Sequence, residues 1–273
     1  MLVVAAMANG GIMLSFKELI EVGQDAAGII EENNKIAKGF FTVGIQSCLV
    51  TVYFFKKATV LIHDSGQLKM TEILALVKKY GTVGKLIIAW GSKVSPRHKE
   101  RLQTLIKFVA LRQKNQLEQV QVPHNDFAFI CDTSGKYEVI PNSIPAEAPR
   151  IPDKEKRQAV CEVNNFFLEP NAQSLSLDIQ YREGEYAPVR SLDKPLGELL
   201  KTVEEQPKFF FRNIAVLHGA YKQGLLTLPP TLEKVAALYD VDRLRYQERL
   251  SPQDEANEEI EFKAYIDSLA QAN

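Results

Sequence analysis

Three short runs between Phe40 and His63 constrain this chain most. Phe40 to Val43, Cys48 to Phe55 and Thr59 to His63 are dense in β-branched and aromatic residues, which suit a pleated, half-buried surface. Lys56-Lys57 is the polar break between the last two runs, so they are predicted to pair antiparallel around it. Counting outward from that turn, Phe55 faces Ala58 and His63 faces Val50, which makes Cys48 the diagonal neighbour of His63 on one face. Diagonal neighbours lie roughly 7 to 8 Å apart at the backbone, a gap that two side chains can close.

That juxtaposition has a chemical meaning. A cysteine attacks as the thiolate, and with an unperturbed pKa of about 8.5 it needs a nearby base to take its proton at neutral pH. His63 is the only histidine among the first ninety residues and supplies such a base. An imidazole in that role needs a third group to fix its orientation, and Thr42 can accept a hydrogen bond from the ring nitrogen turned away from sulfur. Cys48, His63 and Thr42 are therefore the candidate catalytic residues. The proposed chemistry calls for no cofactor and no metal; no Cys or His spacing resembles a zinc site, and there is no glycine-rich phosphate loop.

Charge narrows the choice of partners. Thirty-three Lys and Arg against 34 Asp and Glu give a formal net charge of -1 with no long basic block. Binding to nucleic acid or to an anionic membrane surface lacks its electrostatic footprint. With 273 residues, 45% hydrophobic, the chain is long enough for one large domain or two modest ones. Three cysteines make no disulfide framework and leave at least one thiol free, which fits a reducing compartment such as the cytoplasm. The apolar start, Met1 to Ala8, lacks a basic segment and is too short to span a bilayer, so a soluble protein without membrane insertion or cleavable signal is expected.

The rest of the chain reads as mixed strands and helices. Ser15-Phe16-Lys17-Glu18 has the form of a capping box, and Leu19, Ile20, Ala26, Ala27 and Ile30 follow as a helix face, so a helix is expected ahead of the three runs. Thr71 to Tyr80 is a helix by periodicity, and Lys85 to Trp90 a buried strand. Ser95-Pro96 opens a long helix through Leu102, Leu105, Ile106 and Val109. Phe127 to Cys131 and Tyr137 to Ile140 form a hairpin. The pattern is α+β, and Pro141 to Pro152, with four prolines, marks the domain boundary. The expected division is a first domain over 1-145 and a second, α-rich domain over 153-273. The second holds helices at Lys154 to Phe166, Leu196 to Glu204, Leu232 to Tyr239 and after Ser251-Pro252, a strand at Ser174 to Tyr181, and a buried segment at Phe209 to Leu217.

The segment Thr42-Val43-Gly44-Ile45-Gln46-Ser47-Cys48-Leu49-Val50 resembles the Thr-x-Gly-x-Gly-Ser-Cys-Val signature of the CheD chemoreceptor glutamine deamidases. His63 is similar to their strand-borne histidine, and the hairpin Phe127 to Ile140 resembles the closing strands of that domain. A similar Cys-His arrangement occurs in deamidase toxins of the cytotoxic necrotizing factor kind, whose fold is a sandwich with two central β layers. About the first 140 residues are covered.

The resemblance implies a sandwich with central β layers flanked by helices, and a cofactor-free enzyme that deamidates a glutamine side chain on a protein substrate. Backbone amides around Ser47 and Cys48 would hold the oxyanion, with Gly44 shaping the turn. Gln46 stands where the signature has its second glycine and Asp64 follows the histidine, so both are candidates for facing the substrate. The C-terminal region would select the substrate or bind a regulator, which admits either a chemotaxis role or that of a secreted, toxin-like effector acting in a host cell. Two alternatives stay open: an inactive deamidase-like binding module, and a Cys-His protease or other acyl hydrolase. Cys131 and Cys161 read as structural, His98 as a helix-surface residue, His124 as a loop residue and His218 as a satisfied core residue.

Overall fold

The structure is a computed structural model and describes residues 2–4, 15–92, 96–109, 111, 113–124, 126–141, 148–166, 175–192 and 214–227. Contacts divide the chain into two compact units, Met1–Lys154 with Leu168–Val189, and Glu155–Phe167 with Arg190–Asn273. The helices expected at Leu196 to Glu204, Leu232 to Tyr239 and after Ser251 lie outside the described residues.

The first unit is α+β and holds two mixed sheets. Its strands are β1 (Leu2–Val4), β2 (Leu19–Glu21), β3 (Ala26–Glu31), β4 (Gly39–Ile45), β5 (Leu49–Phe55), β6 (Ala58–Asp64), β7 (Val83–Trp90), β8 (Leu117–Gln121), β9 (Phe127–Asp132), β10 (Tyr137–Pro141), β11 (Asp178–Arg182) and β12 (Glu185–Tyr186). The larger sheet has the order β1-β8-β7-β5-β6-β3-β11-β12, and the smaller β10-β9-β4-β2. Among the described residues two α-helices complete the unit: α1 (Met70–Tyr80) joins β6 to β7, and α2 (Pro96–Val109) lies between β7 and β8.

The central hairpin forms in the predicted register, with β5 and β6 antiparallel and Val50 opposite His63. Residues of alternate parity then go to opposite faces. Val50, Val52 and Leu61 of the larger sheet join Phe40, Ile45, Phe127 and Phe129 of the smaller one in a single buried cluster, so the sheets pack face to face as a sandwich. Each fully buried Leu, Ile or Phe side chain there contributes about 2 kcal/mol. The outer face of the larger sheet carries Thr51, Tyr53 and Ile62, also buried. There the Phe55 ring meets Tyr80 of α1 at 5.6 Å between centroids, and Arg101 of α2 reaches Asp64.

The segment expected to be a helix before the hairpin is instead strand. The capping box does form, Ser15 accepting from Lys17 N and Glu18 Oε2 accepting from Ser15 N, but it caps one 3-10 turn, Phe16–Glu18. β2 and β3 follow and enter different sheets. Ala26 to Ile30 are buried on both faces, so their apolar run has no solvent side to reveal a period of two. Gly28 admits no side chain, because a Cβ there would come within 2.6 Å of Val22 Cγ2.

The strand expected at Ser174 to Tyr181 forms as β11, and it pairs in parallel with β3 in the larger sheet. This stretch beyond the proline-rich boundary therefore belongs to the first unit. In the second unit, α3 (Lys154–Phe166) forms as expected, and α4 (Ile214–Lys222) shows the end of the Phe209 to Leu217 segment as helix. Among the described residues no helix is long and apolar enough to cross a membrane.

Candidate functional site

β4 and β6 lie in different sheets, and their inward-facing polar residues meet across the sandwich. Thr42 shares the inner face of β4 with Phe40, and His63 shares that of β6 with Leu61. The Thr42 Oγ1 to His63 Nδ1 distance is 2.7 Å, and both residues are buried. A hydrogen bond of that length ties the two layers beside the apolar cluster between them. The tautomer with Nδ1–H donating to Thr42 leaves Nε2 with its lone pair, the form a general base requires. Nε2 is buried and has no hydrogen-bond partner among the described residues.

Cys48 precedes β5 and belongs to the same interior cluster. Its position two residues before Val50 puts it diagonal to His63 on the shared face. The approach to it is shaped by β4. Between Thr42, opposite Phe129, and Ile45, opposite Phe127, β4 carries one residue more than β9, which makes a bulge. Gly44 sits in the bulge at a φ of 70°, in the left-handed region, where any other L-residue is strained. The extra residue restores Ile45 to the core and sends Gly44, Gln46 and Ser47 to the surface ahead of the cysteine.

Burial sets the resting protonation states. The Cys48 thiol is pushed up to about 12, first by desolvation and then by the negative charges of Asp25 and Asp64. The His63 imidazole is pushed down to about 4, again first by desolvation, with Asp25 opposing that effect and His98 adding to it. At neutral pH the centre therefore rests as thiol and neutral imidazole.

Gly44, Gln46 and Ser47 occupy an exposed rim. Asp64 does not, which corrects the expectation that it faces substrate. As the residue after His63 it points to the other face of the sheet, 2% exposed. Its Oδ2 accepts from Arg101 Nε at 2.8 Å and lies 2.6 Å from Arg101 Nη2, while Oδ1 accepts from Gly66 N at 2.8 Å. Arg101 also donates through Nη1 to the Leu68 carbonyl. Desolvation raises the Asp64 carboxyl, with Arg101 and the backbone donors opposing.

His98 is likewise corrected from helix surface to core, being 1% exposed. The buried stripe of α2 runs His98, Arg101, Leu105 at helical spacing, and an apolar count overlooks a stripe that is two-thirds polar. His124 is an exposed loop residue, Cys131 is buried in the sandwich, Cys161 is half-buried on α3, and His218 is buried on α4 with its ring 6.5 Å from Tyr221.

Asp25 and Ser65, which flank the centre, were missed by sequence reasoning because Asp25 fell inside the expected helix. The Gly23-Gln24-Asp25 turn was the available signal. A cavity of about 280 Å³ lies at the opposite end of the hairpin, lined by Ile30, Lys56 and Lys57. Among the described residues no group of three or more His, Cys, Asp or Glu side chains is placed to hold a metal ion. Compared with known proteins, the chain matches no family model and no curated protein.

Proposed function

We propose that this protein is a cysteine-dependent glutamine deamidase acting on a protein substrate. The observation that carries the reading is the Thr42–His63 hydrogen bond, which orients an otherwise unpartnered Nε2 on the face that Cys48 shares. When a carboxamide enters, the Cys48 proton passes to His63 Nε2 as sulfur attacks the amide carbon. The tetrahedral intermediate's oxygen takes the negative charge, with the backbone N–H groups at Ser47 and Cys48 as its donors. The His63 proton then leaves with nitrogen as ammonia, and a thioester remains. Water, deprotonated by His63, cleaves it to glutamate and free thiol. Because the thiol is protonated at rest, proton transfer accompanies attack instead of preceding it.

Incubation with a library of glutamine-containing peptides and proteins, read by mass spectrometry, should show a gain of roughly one mass unit at glutamine that is lost in Cys48→Ser. Activity that survives the substitution sinks the idea, and backbone cleavage would instead identify a protease.

The raised thiol favours a second reading, a deamidase-like binding module whose pocket no longer reacts. A peptide carrying a chloromethyl ketone in place of the glutamine carboxamide separates the two, because it brings the electrophile to the site as a substrate would. A working centre alkylates at Cys48 well ahead of Cys131 and Cys161, whereas equal rates point to the binding module.

A further inference from the structure

The β2–β3 connection, Val22 to Asp25, carries the chain from the smaller sheet to the larger at the end of the sandwich where Thr42 and His63 meet. It leaves beside Phe41, whose carbonyl accepts from Val22 N at 2.9 Å, and arrives at Ala26, the direct partner of His63 in the β3–β6 pairing. Asp25 closes this crossing with a φ of 55°, a left-handed conformation that aspartate adopts more readily than most non-glycine residues. Its side chain is 2% exposed. Oδ1 accepts from Ser65 N at 2.9 Å and from Ser65 Oγ at 2.7 Å, and Oδ2 from Gln24 Nε2 at 3.0 Å. Ser65 stands two residues after His63, so Asp25 holds the turn just beyond the histidine while its chain neighbour Ala26 pairs with the histidine itself.

Resting on the Cys48–His63 reading, we propose that Asp25 is the positioning residue of this centre: its buried carboxylate fixes the turn after His63 and supplies the negative charge against which the His63 imidazolium forms. Asp25 acts from the β2–β3 crossing, Asp64 from β6, and His98 and Arg101 from α2. Arg101 is ion-paired with Asp64 and offsets its charge, whereas His98 works against an imidazolium. Asp25 is the carboxylate that acts on both partners, holding Cys48 protonated at rest and favouring His63 once it has taken the proton. A thiol restrained in this way reacts when substrate arrives and resists alkylation and oxidation otherwise.

Asp25→Asn tests this in the full chain, because an asparagine oxygen can still accept from Ser65 while the charge is gone. Removing the charge lowers the thiol toward its ordinary range, so iodoacetamide should alkylate Cys48 about tenfold faster near pH 9, while glutamine deamidation slows by about tenfold. Those opposite directions distinguish a charge from a structural prop, which would move both together. Ser65→Ala, which deletes the hydroxyl bond and keeps the carboxylate, should leave the alkylation profile in place. An unchanged alkylation rate in Asp25→Asn, an equal change in Ser65→Ala, or new reactivity at Cys131 would overturn the proposal. Faster alkylation of Cys48 in Asp25→Asn, with no deamidation by the parent protein, would uphold the charge coupling and sink the deamidase reading.

Discussion

His63 and Asp64 are adjacent in the chain and equally buried, yet the fold treats them in opposite ways. His63 faces the apolar sandwich, where a threonine hydroxyl is its partner and desolvation keeps it neutral. Asp64 faces the helix layer, where Arg101 contributes two nitrogens to one oxygen and Gly66 donates to the other. Burial alone therefore does not decide what a titratable group becomes; the donors on its side of the sheet do. One strand places a proton acceptor on its inner face and an anchoring ion pair on its outer face.

The sharpest way to break that contrast is to remove the cation. Arg101→Ala leaves a buried carboxylate without its main partner, and urea denaturation should show a loss of about 3 to 5 kcal/mol. The double variant Asp64→Leu/Arg101→Met should recover most of it, since two packed apolar side chains carry no desolvation debt. If the double variant is as unstable as the single one, the pair is irreplaceable in shape as well as charge.

The neutral member of the comparison responds to pH. Between about 6.5, where an unfolded histidine titrates, and about 4, the unfolded chain binds a proton that the folded imidazole refuses. Stability is therefore present above that window and is lost as the pH falls through it, by about 3 kcal/mol if this group acts alone. Thermal denaturation across the window should show the decline, and His63→Gln should flatten it.

A smaller effect is expected at the bridge between the layers. Thr42→Val keeps the shape and removes the acceptor, leaving the Nδ1 proton unpaired at a cost of about 1 to 2 kcal/mol. Deamidation should fall along with stability, and Thr42→Ser should restore both.

The hairpin and its register were legible in the sequence because β-branched residues, a two-residue polar turn and parity leave little freedom between Val50 and His63. The threonine partner came from the imidazole's need for an orienting acceptor and from the place of Thr42 in the signature-like segment, since hairpin parity says nothing about a strand in the other sheet. The helix at Leu19 to Ile30 failed for a physical reason: two short strands buried on both faces mimic helical spacing, and Gly23 and Gly28 are the marks of a turn and a close approach. Asp64 was misplaced because the residue following an inward-facing histidine on a strand necessarily looks the other way. Its arginine lies 37 residues further along, on a helix whose buried stripe is polar. Asp25 was invisible because only the sheet brings it to Ser65, 40 residues away.

The return of β11 to the larger sheet bears on how this protein can be divided. β3 is flanked by β6 on one side and by β11 on the other, and Tyr181 and Tyr186 pack against the core beneath them. A chain severed at the proline-rich stretch would keep every residue of the candidate centre and yet leave β3 with a bare row of amides and carbonyls, a template for aggregation. A fragment meant to fold soundly has to extend past Tyr186, so the smallest self-sufficient piece of this protein is longer than the segment that carries the candidate centre.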